Sequence, residues 1–104
     1  MELNEIIQNL NFIYKDKFEK FYGIILFGSA ARGDFKSDSD IDIILLFNGH
    51  IEKELKYAAY DLINDFMIES DLFIDCKVYD FNEIKSQNTP FRKAVMAEGK
   101  IYAA

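Results

Sequence analysis

The stretch FGSAARGDFKSDSDIDIILLF, residues 27–47, decides the fold because it joins a glycine turn to a strand that begins with carboxylates. The apolar run that ends at Gly28 is typical of a buried strand. The apolar run after the acids predicts a second strand, and the alternation of its side chains puts Asp40 and Asp42 on one face. Two carboxylates at this spacing lie about 6.6 Å apart along a strand. Both can therefore reach toward one Mg²⁺ ion, which prefers oxygen ligands.

The rest of the chain alternates helix-like and strand-like patterns. Apolar residues at three- and four-residue spacing predict helices, whereas short apolar runs or strict alternation predict strands. Asp80 with Glu83, and Thr89 before Pro90, are helix-start signals, and Gly99 is a stop signal. The predicted order is a helix at about 3–20, strands at 22–27 and 41–47, a helix at about 51–67, a strand at 72–79, a short helix after 80, a helix at about 90–98 and a short edge strand at 100–102.

The composition fits a single domain spanning residues 1–104. Half of the residues are hydrophobic and 15% are aromatic, so a chain of this length can bury a core without disulfides. The single cysteine, Cys76, fits a reducing cytoplasm and is expected to be inert on the core face. No signal peptide or membrane span is predicted, and the net charge of −6 argues against direct nucleic-acid binding. We expect an α/β (α+β) domain, with helices packed on one face of a small mixed sheet.

Acids with this spacing also have ordinary explanations. An Asp-x-Asp pair alone is more often a solvated edge and a helix cap than a metal site. A calcium loop starting at Asp38 is excluded, because the positions that need glycine and glutamate hold isoleucine and glycine. Gly33 is well explained as the end of a one-turn helix. What favours a ligand site is the pair Gly28 and Ser29 directly before the acids.

The segment GSAARGDFKSDSDIDI resembles the signature of the minimal nucleotidyltransferases of the DNA polymerase beta superfamily. That signature is Gly-Ser, ten residues, then Asp-x-Asp, and residues 30–39 are the ten between Ser29 and Asp40. The resemblance covers nearly the whole chain and implies the nucleotidyltransferase (polymerase beta palm-like) fold. The family's third carboxylate usually lies on the next strand. Asp75 in FIDCKVYDF matches it, and Asp71, with the same parity, is the competing candidate.

The resemblance also implies a reaction. The family transfers a nucleoside monophosphate from a nucleoside triphosphate, here expected to be AMP from ATP, to an acceptor hydroxyl. Asp40, Asp42 and Asp75 would be the catalytic residues and the ligands of two Mg²⁺ ions. Gly28 and Ser29 would bind the β- and γ-phosphates.

Two basic residues near these acids have open roles. Arg32 would contact the triphosphate, or else form an ion pair with Asp34 or Asp38. Asp38 itself is expected to be a turn residue rather than a ligand. Lys77 shares the face of Asp75 and could contact a phosphate or pair with that carboxylate.

The resemblance implies a protein partner as well. Larger relatives carry a second domain that binds the acceptor, and stand-alone members resemble the antitoxin half of HEPN/MNT toxin–antitoxin pairs, in which AMP is transferred to a tyrosine of the toxin. A HEPN-type toxin is therefore the expected partner. The assembly is expected to be a hetero-oligomer with that toxin or a homodimer of this chain. Two alternatives stay open: a non-catalytic antitoxin that neutralises its partner by contact, and transfer to a small molecule such as an aminoglycoside.

Overall fold

The structure, a computed structural model, describes residues 2–33 and 40–104. Its elements in chain order are α1 (Leu3–Lys17), β1 (Phe21–Phe27), α2 (Gly28–Ala31), β2 (Ile41–Phe47), α3 (Lys53–Ser70), β3 (Ile74–Asp80), α4 (Phe81–Ser86), α5 (Pro90–Glu98) and β4 (Lys100–Ala103). The predicted boundaries agree with these to within about three residues. Asp34 and Asp38, considered above as partners of Arg32, lie outside the described residues.

The four strands form one mixed sheet in the order β3-β2-β1-β4. β1 pairs antiparallel with both β2 and β4, whereas β2 and β3 are parallel. Parallel neighbours need a crossover, and α3 provides it by returning the chain from the end of β2 to the start of β3. As a result, β2 and β3 begin at the same end of the sheet, where β1 ends in the glycine turn.

The α/β class and the mixed sheet are confirmed, but the helices occupy both faces. The long helices α1 and α3 cover one face, where Ile43, Leu45 and Phe47 of β2 are buried. On the other face, α4 and α5 cover Ile44 and Leu46. The prediction of helices on one face was wrong because β2 is apolar on both sides beyond Asp42, and a central strand of that kind needs cover on both sides.

Side-chain caps define the starts of the two short helices that cover this second face. Thr89 Oγ1 accepts a hydrogen bond from the backbone N–H of Arg92 at 3.1 Å, and Asp80 Oδ1 accepts one from Asn82 at 3.0 Å. Both caps were predicted. Glu83, expected to complete a capping box, instead accepts a hydrogen bond from Arg92 Nη2 at 3.3 Å and so links α4 to α5. None of the described helices is long and apolar enough to cross a membrane.

A buried tyrosine joins the two long helices on the first face. The hydroxyl of Tyr14 in α1 donates to the backbone carbonyl of Ala59 in α3 at 2.6 Å. Burial raises the pKa of Tyr14 well above the usual tyrosine value, so the hydroxyl stays protonated and remains a donor. The bond therefore holds α1 and α3 in one layer.

Replacing Tyr14 with phenylalanine should lower the free energy of unfolding by about 1 kcal/mol, because one buried hydrogen bond is lost while the ring is kept. Urea denaturation at neutral pH measures this. Tyr57→Phe is the matched control, since Tyr57 is 56% exposed and its substitution should change stability by less than about 0.5 kcal/mol. Equal effects of the two variants would contradict the role of the Tyr14 bond.

The pH dependence of the same variants tests the raised pKa. The unfolded chain ionises tyrosine near pH 10, so the stability that depends on protonated Tyr14 is complete below that pH. Above it, the unfolded state releases the proton first and this stability is lost as pH rises toward the folded-state pKa. The advantage of the wild type over Tyr14→Phe should shrink by up to about 1.4 kcal/mol per pH unit above pH 10. A constant difference between pH 9 and pH 11 would contradict the raised pKa.

Candidate active site

Acidic side chains meet at the end of the sheet where β2 and β3 begin. Asp42 is the register partner of Asp75 on β3 and of Phe27 on β1. Paired residues of parallel strands lie about 4.8 Å apart and point to the same side. Asp40, two residues before Asp42, directly precedes β2 on the same face. The structure therefore brings Asp42 and Asp75 side by side, as the sequence predicted.

The electrostatics of Asp42 show how closely the acids interact. Burial raises the pKa of Asp42 above its usual range, and the charges of Asp75 and Asp40 raise it further, while Lys77 partly opposes them. Lys77 Nζ lies 3.8 Å from Asp75 Oδ1 on the exposed side of the pair. Among the described groups that act on Asp42, one lysine stands against two further carboxylates, so negative charge is in excess there.

Mg²⁺ fits this donor set, because the converging groups are carboxylate oxygens and a divalent cation would relieve their repulsion. In residues 2–33 and 40–104, however, no three histidine, cysteine, aspartate or glutamate side chains are close enough to form a ready-made metal site. Asp42 and Asp75 are thus the close pair, and Asp40 acts on Asp42 from its position before the strand. Metal binding by the three acids stays a prediction.

Gly28 brings the backbone against the acids. It has a φ of +71°, which L side chains rarely adopt, and a Cβ at this position would overlap Oδ2 of Asp42. Gly28 is therefore required both by the turn and by the space that the Asp42 carboxylate occupies. Ser29 follows as the second residue of α2 and is half-buried at the same end of the sheet. Phosphate binding by these two residues stays a prediction.

The two remaining candidates from the sequence are Asp71 and Arg32. Asp71 ends α3 in the left-handed conformation, with a φ of 58°, and its backbone N–H donates to the carbonyl of Met67. Asp75, and not Asp71, is the register partner of Asp42 on β3, so the geometry favours Asp75 as the third acid. Arg32 is exposed at the end of α2 and donates its backbone N–H to Gly28 at 3.2 Å. Its contact with a triphosphate stays a prediction.

Two aromatic residues lie near the acids but were not predicted to be part of the site. Phe91 of α5 lies under the Lys77 ammonium, with Nζ 5.8 Å from the ring centroid. The sequence left Phe91 open as a core or partner-surface residue, and its position beside Lys77 was not predicted because helices were expected on one face. Phe73 precedes β3 and is 72% exposed. The alternation in the sequence had already placed Phe73 on the same face as Asp75, without a role in the site. Cys76 is half-buried against the core, and burial raises its pKa to about 12, which agrees with an inert thiol.

Asp42→Asn should stabilise the metal-free protein. It removes one of two facing like charges, a gain of at most about 1 kcal/mol, or a few degrees in Tm. Thermal unfolding in EDTA measures the gain. Added MgCl₂ should raise the Tm of the wild type but not of Asp42→Asn. Asp71→Asn removes the same charge, and asparagine tolerates the left-handed conformation, so this control should keep the response. An undiminished Mg²⁺ response in Asp42→Asn would contradict the site.

Gly28→Ala and Gly33→Ala separate backbone strain from contact with the acids. Both glycines have positive φ, so each substitution should cost about 1–2 kcal/mol of stability. A Cβ at Gly33 meets no atom of residues 2–33 or 40–104 within 4 Å, whereas at Gly28 it overlaps the Asp42 carboxylate. Only Gly28→Ala should weaken Mg²⁺ binding, by roughly tenfold or more, as measured by calorimetric titration. Equal affinities in the two variants would show that Gly28 does not shape the site.

Comparison with known proteins gives the family that the sequence motif resembles. Residues 3–102 match the model of the nucleotidyltransferase domain. Two chains from Methanocaldococcus jannaschii, each provisionally named a protein adenylyltransferase, are similar over almost their whole length. One is 34% identical over 97% of this chain and 94% of its own, and the other is 31% identical over 95% and 92%.

Solved structures share the fold. A crystal structure of a toxin–antitoxin with AMP-PNP is 25% identical with a TM-score of 0.64, over 97% of this chain and 72% of that one. A nucleotidyltransferase from Sulfolobus solfataricus is 21% identical with a TM-score of 0.63, over 94% and 77%, and its likeness concerns the fold alone. With the Gly-Ser turn and the paired acids in place, the chain belongs to the nucleotidyltransferase domain family and is a nucleotidyltransferase.

Proposed function

We propose that this nucleotidyltransferase transfers AMP from ATP to a hydroxyl of a partner protein, with Mg²⁺, as the antitoxin of a toxin–antitoxin pair. The observation that carries the proposal is the pairing of Asp42 with Asp75 beside Gly28. The names of the M. jannaschii relatives support a protein acceptor. The toxin–antitoxin structure with AMP-PNP supports an adenine nucleotide and a toxin as partner, for which a HEPN-type toxin is the first candidate.

Each part of the site would have a distinct role in the reaction. The backbone of Gly28 and the hydroxyl of Ser29 would hold the β- and γ-phosphates at the end of β1. Asp40, Asp42 and Asp75 would hold two Mg²⁺ ions, which when bound neutralise charge on the reacting phosphates. The bond between the acceptor oxygen and the α-phosphorus forms as the bond to the β-phosphate breaks, and pyrophosphate leaves. Asp75 would orient the acceptor hydroxyl and help to remove its proton.

The charge of the chain supports a protein acceptor over a nucleic acid. The net charge is −6, and the reacting end of the sheet carries three carboxylates against Lys77. A polyanionic acceptor would be repelled there, whereas a neutral or basic protein segment would not. A hetero-oligomer with the toxin would supply such a segment close to the acids.

Label transfer tests the activity and the choice of third acid together. The purified protein, Mg²⁺ and ATP labelled at the α-phosphate are added to lysate of the host. The wild type should label a protein band, and Asp40→Asn, Asp42→Asn and Asp75→Asn should each reduce the rate by at least about a hundredfold. Asp71→Asn is the matched control and should label as the wild type does.

Four other outcomes are informative. Undiminished labelling by Asp42→Asn would refute the acid assignment. Loss of labelling in Asp71→Asn but not in Asp75→Asn would make Asp71 the third acid in place of Asp75. If the wild type labels nothing yet retains a partner as firmly as Asp42→Asn does, the chain neutralises its partner by contact. If the label appears only on a small molecule, the acceptor is not a protein.

A further inference from the structure

We propose that Phe73 forms the acceptor side of this active site, as an exposed ring on which an apolar side chain next to the acceptor hydroxyl of a protein substrate packs. The inference rests on the proposed function and deepens it. It names the kind of protein segment that the site takes.

Phe73 lies on the same face as the acids. Its carbonyl accepts a hydrogen bond from the backbone N–H of Ile41 at 3.0 Å, so the ladder between β2 and β3 extends to this residue. Leu72 and Ile74, on either side, pack into the core with α1 and α3. The Phe73 side chain therefore points to the opposite face with Asp75, about 6.6 Å further along the strand.

In the described part of the chain, the ring of Phe73 is exposed on a face where other rings are packed. Phe27 packs edge-on against Phe91 at 5.9 Å, and Tyr79 lies 6.3 Å from the same ring. Tyr22 stacks on Phe81. Phe73, in contrast, is 72% exposed beside the carboxylates. An exposed aromatic ring next to a reaction centre is suited to contact with a ligand.

The direction of the reaction assigns that contact to the acceptor. In nucleotidyl transfer, the attacking and leaving oxygens lie on opposite sides of the reacting phosphorus. In the proposed function, Gly28 and Ser29 hold the leaving pyrophosphate at the end of β1. Because the strand order is β3-β2-β1, the attacking hydroxyl approaches from the side of β3. Asp75 and Phe73 lie on that side.

The chemistry of the ring selects the class of acceptor. β3 is an outer strand of the sheet, so its side is accessible to a macromolecule. A phenyl ring gains from contact with apolar or aromatic groups and offers little to a polyhydroxylated cation such as an aminoglycoside. The expected substrate is therefore a protein segment with an apolar or aromatic side chain adjacent to the acceptor hydroxyl.

Phe73→Ala is compared with Phe12→Ala to test this role. Phe12 is 75% exposed, close to the 72% of Phe73. It belongs to α1, the helix that covers the opposite face of the sheet from the acids. Two quantities are measured for each variant: the rate of label transfer to the host protein band at limiting lysate, and the affinity for AMP-PNP with Mg²⁺. Unfolding midpoints verify that both variants fold.

Phe73→Ala should reduce transfer about 10- to 100-fold, the effect of removing one buried phenyl contact, with unchanged AMP-PNP affinity. Phe73→Tyr should restore transfer, and Phe12→Ala should match the wild type in both measurements. Transfer by Phe73→Ala at the wild-type rate would overturn the inference while leaving the proposed function intact. Loss of AMP-PNP affinity in Phe73→Ala would also overturn it, by assigning the ring to the nucleotide. If the wild type labels no more than Asp42→Asn, the proposed function fails and this inference fails with it.

Discussion

The parallel pairing of β2 with β3, in the register that sets Asp42 beside Asp75, is the constraint on which the rest of the site depends. A slip of one residue would turn Asp75 into the core and expose its apolar neighbours. Burial fixes the register, because Ile74 and Val78 of β3 pack with α1 and α3 on the opposite face. The backbone N–H of Ile74 also donates to Met67 of α3 at 3.2 Å, which ties the outer edge of β3 to the crossover helix. Core packing thus positions the carboxylates without contacting them.

Like charges concentrated at one end of a small sheet lower the stability of the fold. Here the acids are confined to the starts of β2 and β3. On the same face, the sheet becomes apolar within two residues of Asp42, where Ile44 and Leu46 lie under α4 and α5. Lys77 stands at the boundary, between the Asp75 carboxylate and the ring of Phe91. The charged end therefore stays open to ligands while the rest of the face is sealed. This division explains why the two short helices pack against the face that carries the acids.

Local patterns in the sequence were enough for the strands, the caps and the face on which each acid lies, and the family resemblance singled out Asp75 as the partner of Asp42. The alternation around Asp75 predicted the face of the strand on which its side chain lies, and Thr89 before Pro90 predicted the start of α5. Both depend on backbone geometry over a few residues. Placement in three dimensions was less accessible. The face chosen by α4 and α5, the contact of Glu83 with Arg92 and the overlap between Gly28 and Asp42 arise from segments distant in the chain. No local pattern encodes them.

A crystal structure with Mn²⁺ and AMP-PNP tests the central claim most directly, because the anomalous signal of manganese locates the metal independently of the side chains. The account predicts a peak between the carboxylates of Asp42 and Asp75, with the terminal phosphates of the nucleotide at Gly28 and Ser29. A peak bound by Asp71 in place of Asp75 would contradict the assignment of the third acid. Nucleotide bound with no metal at these carboxylates would contradict the site as a whole.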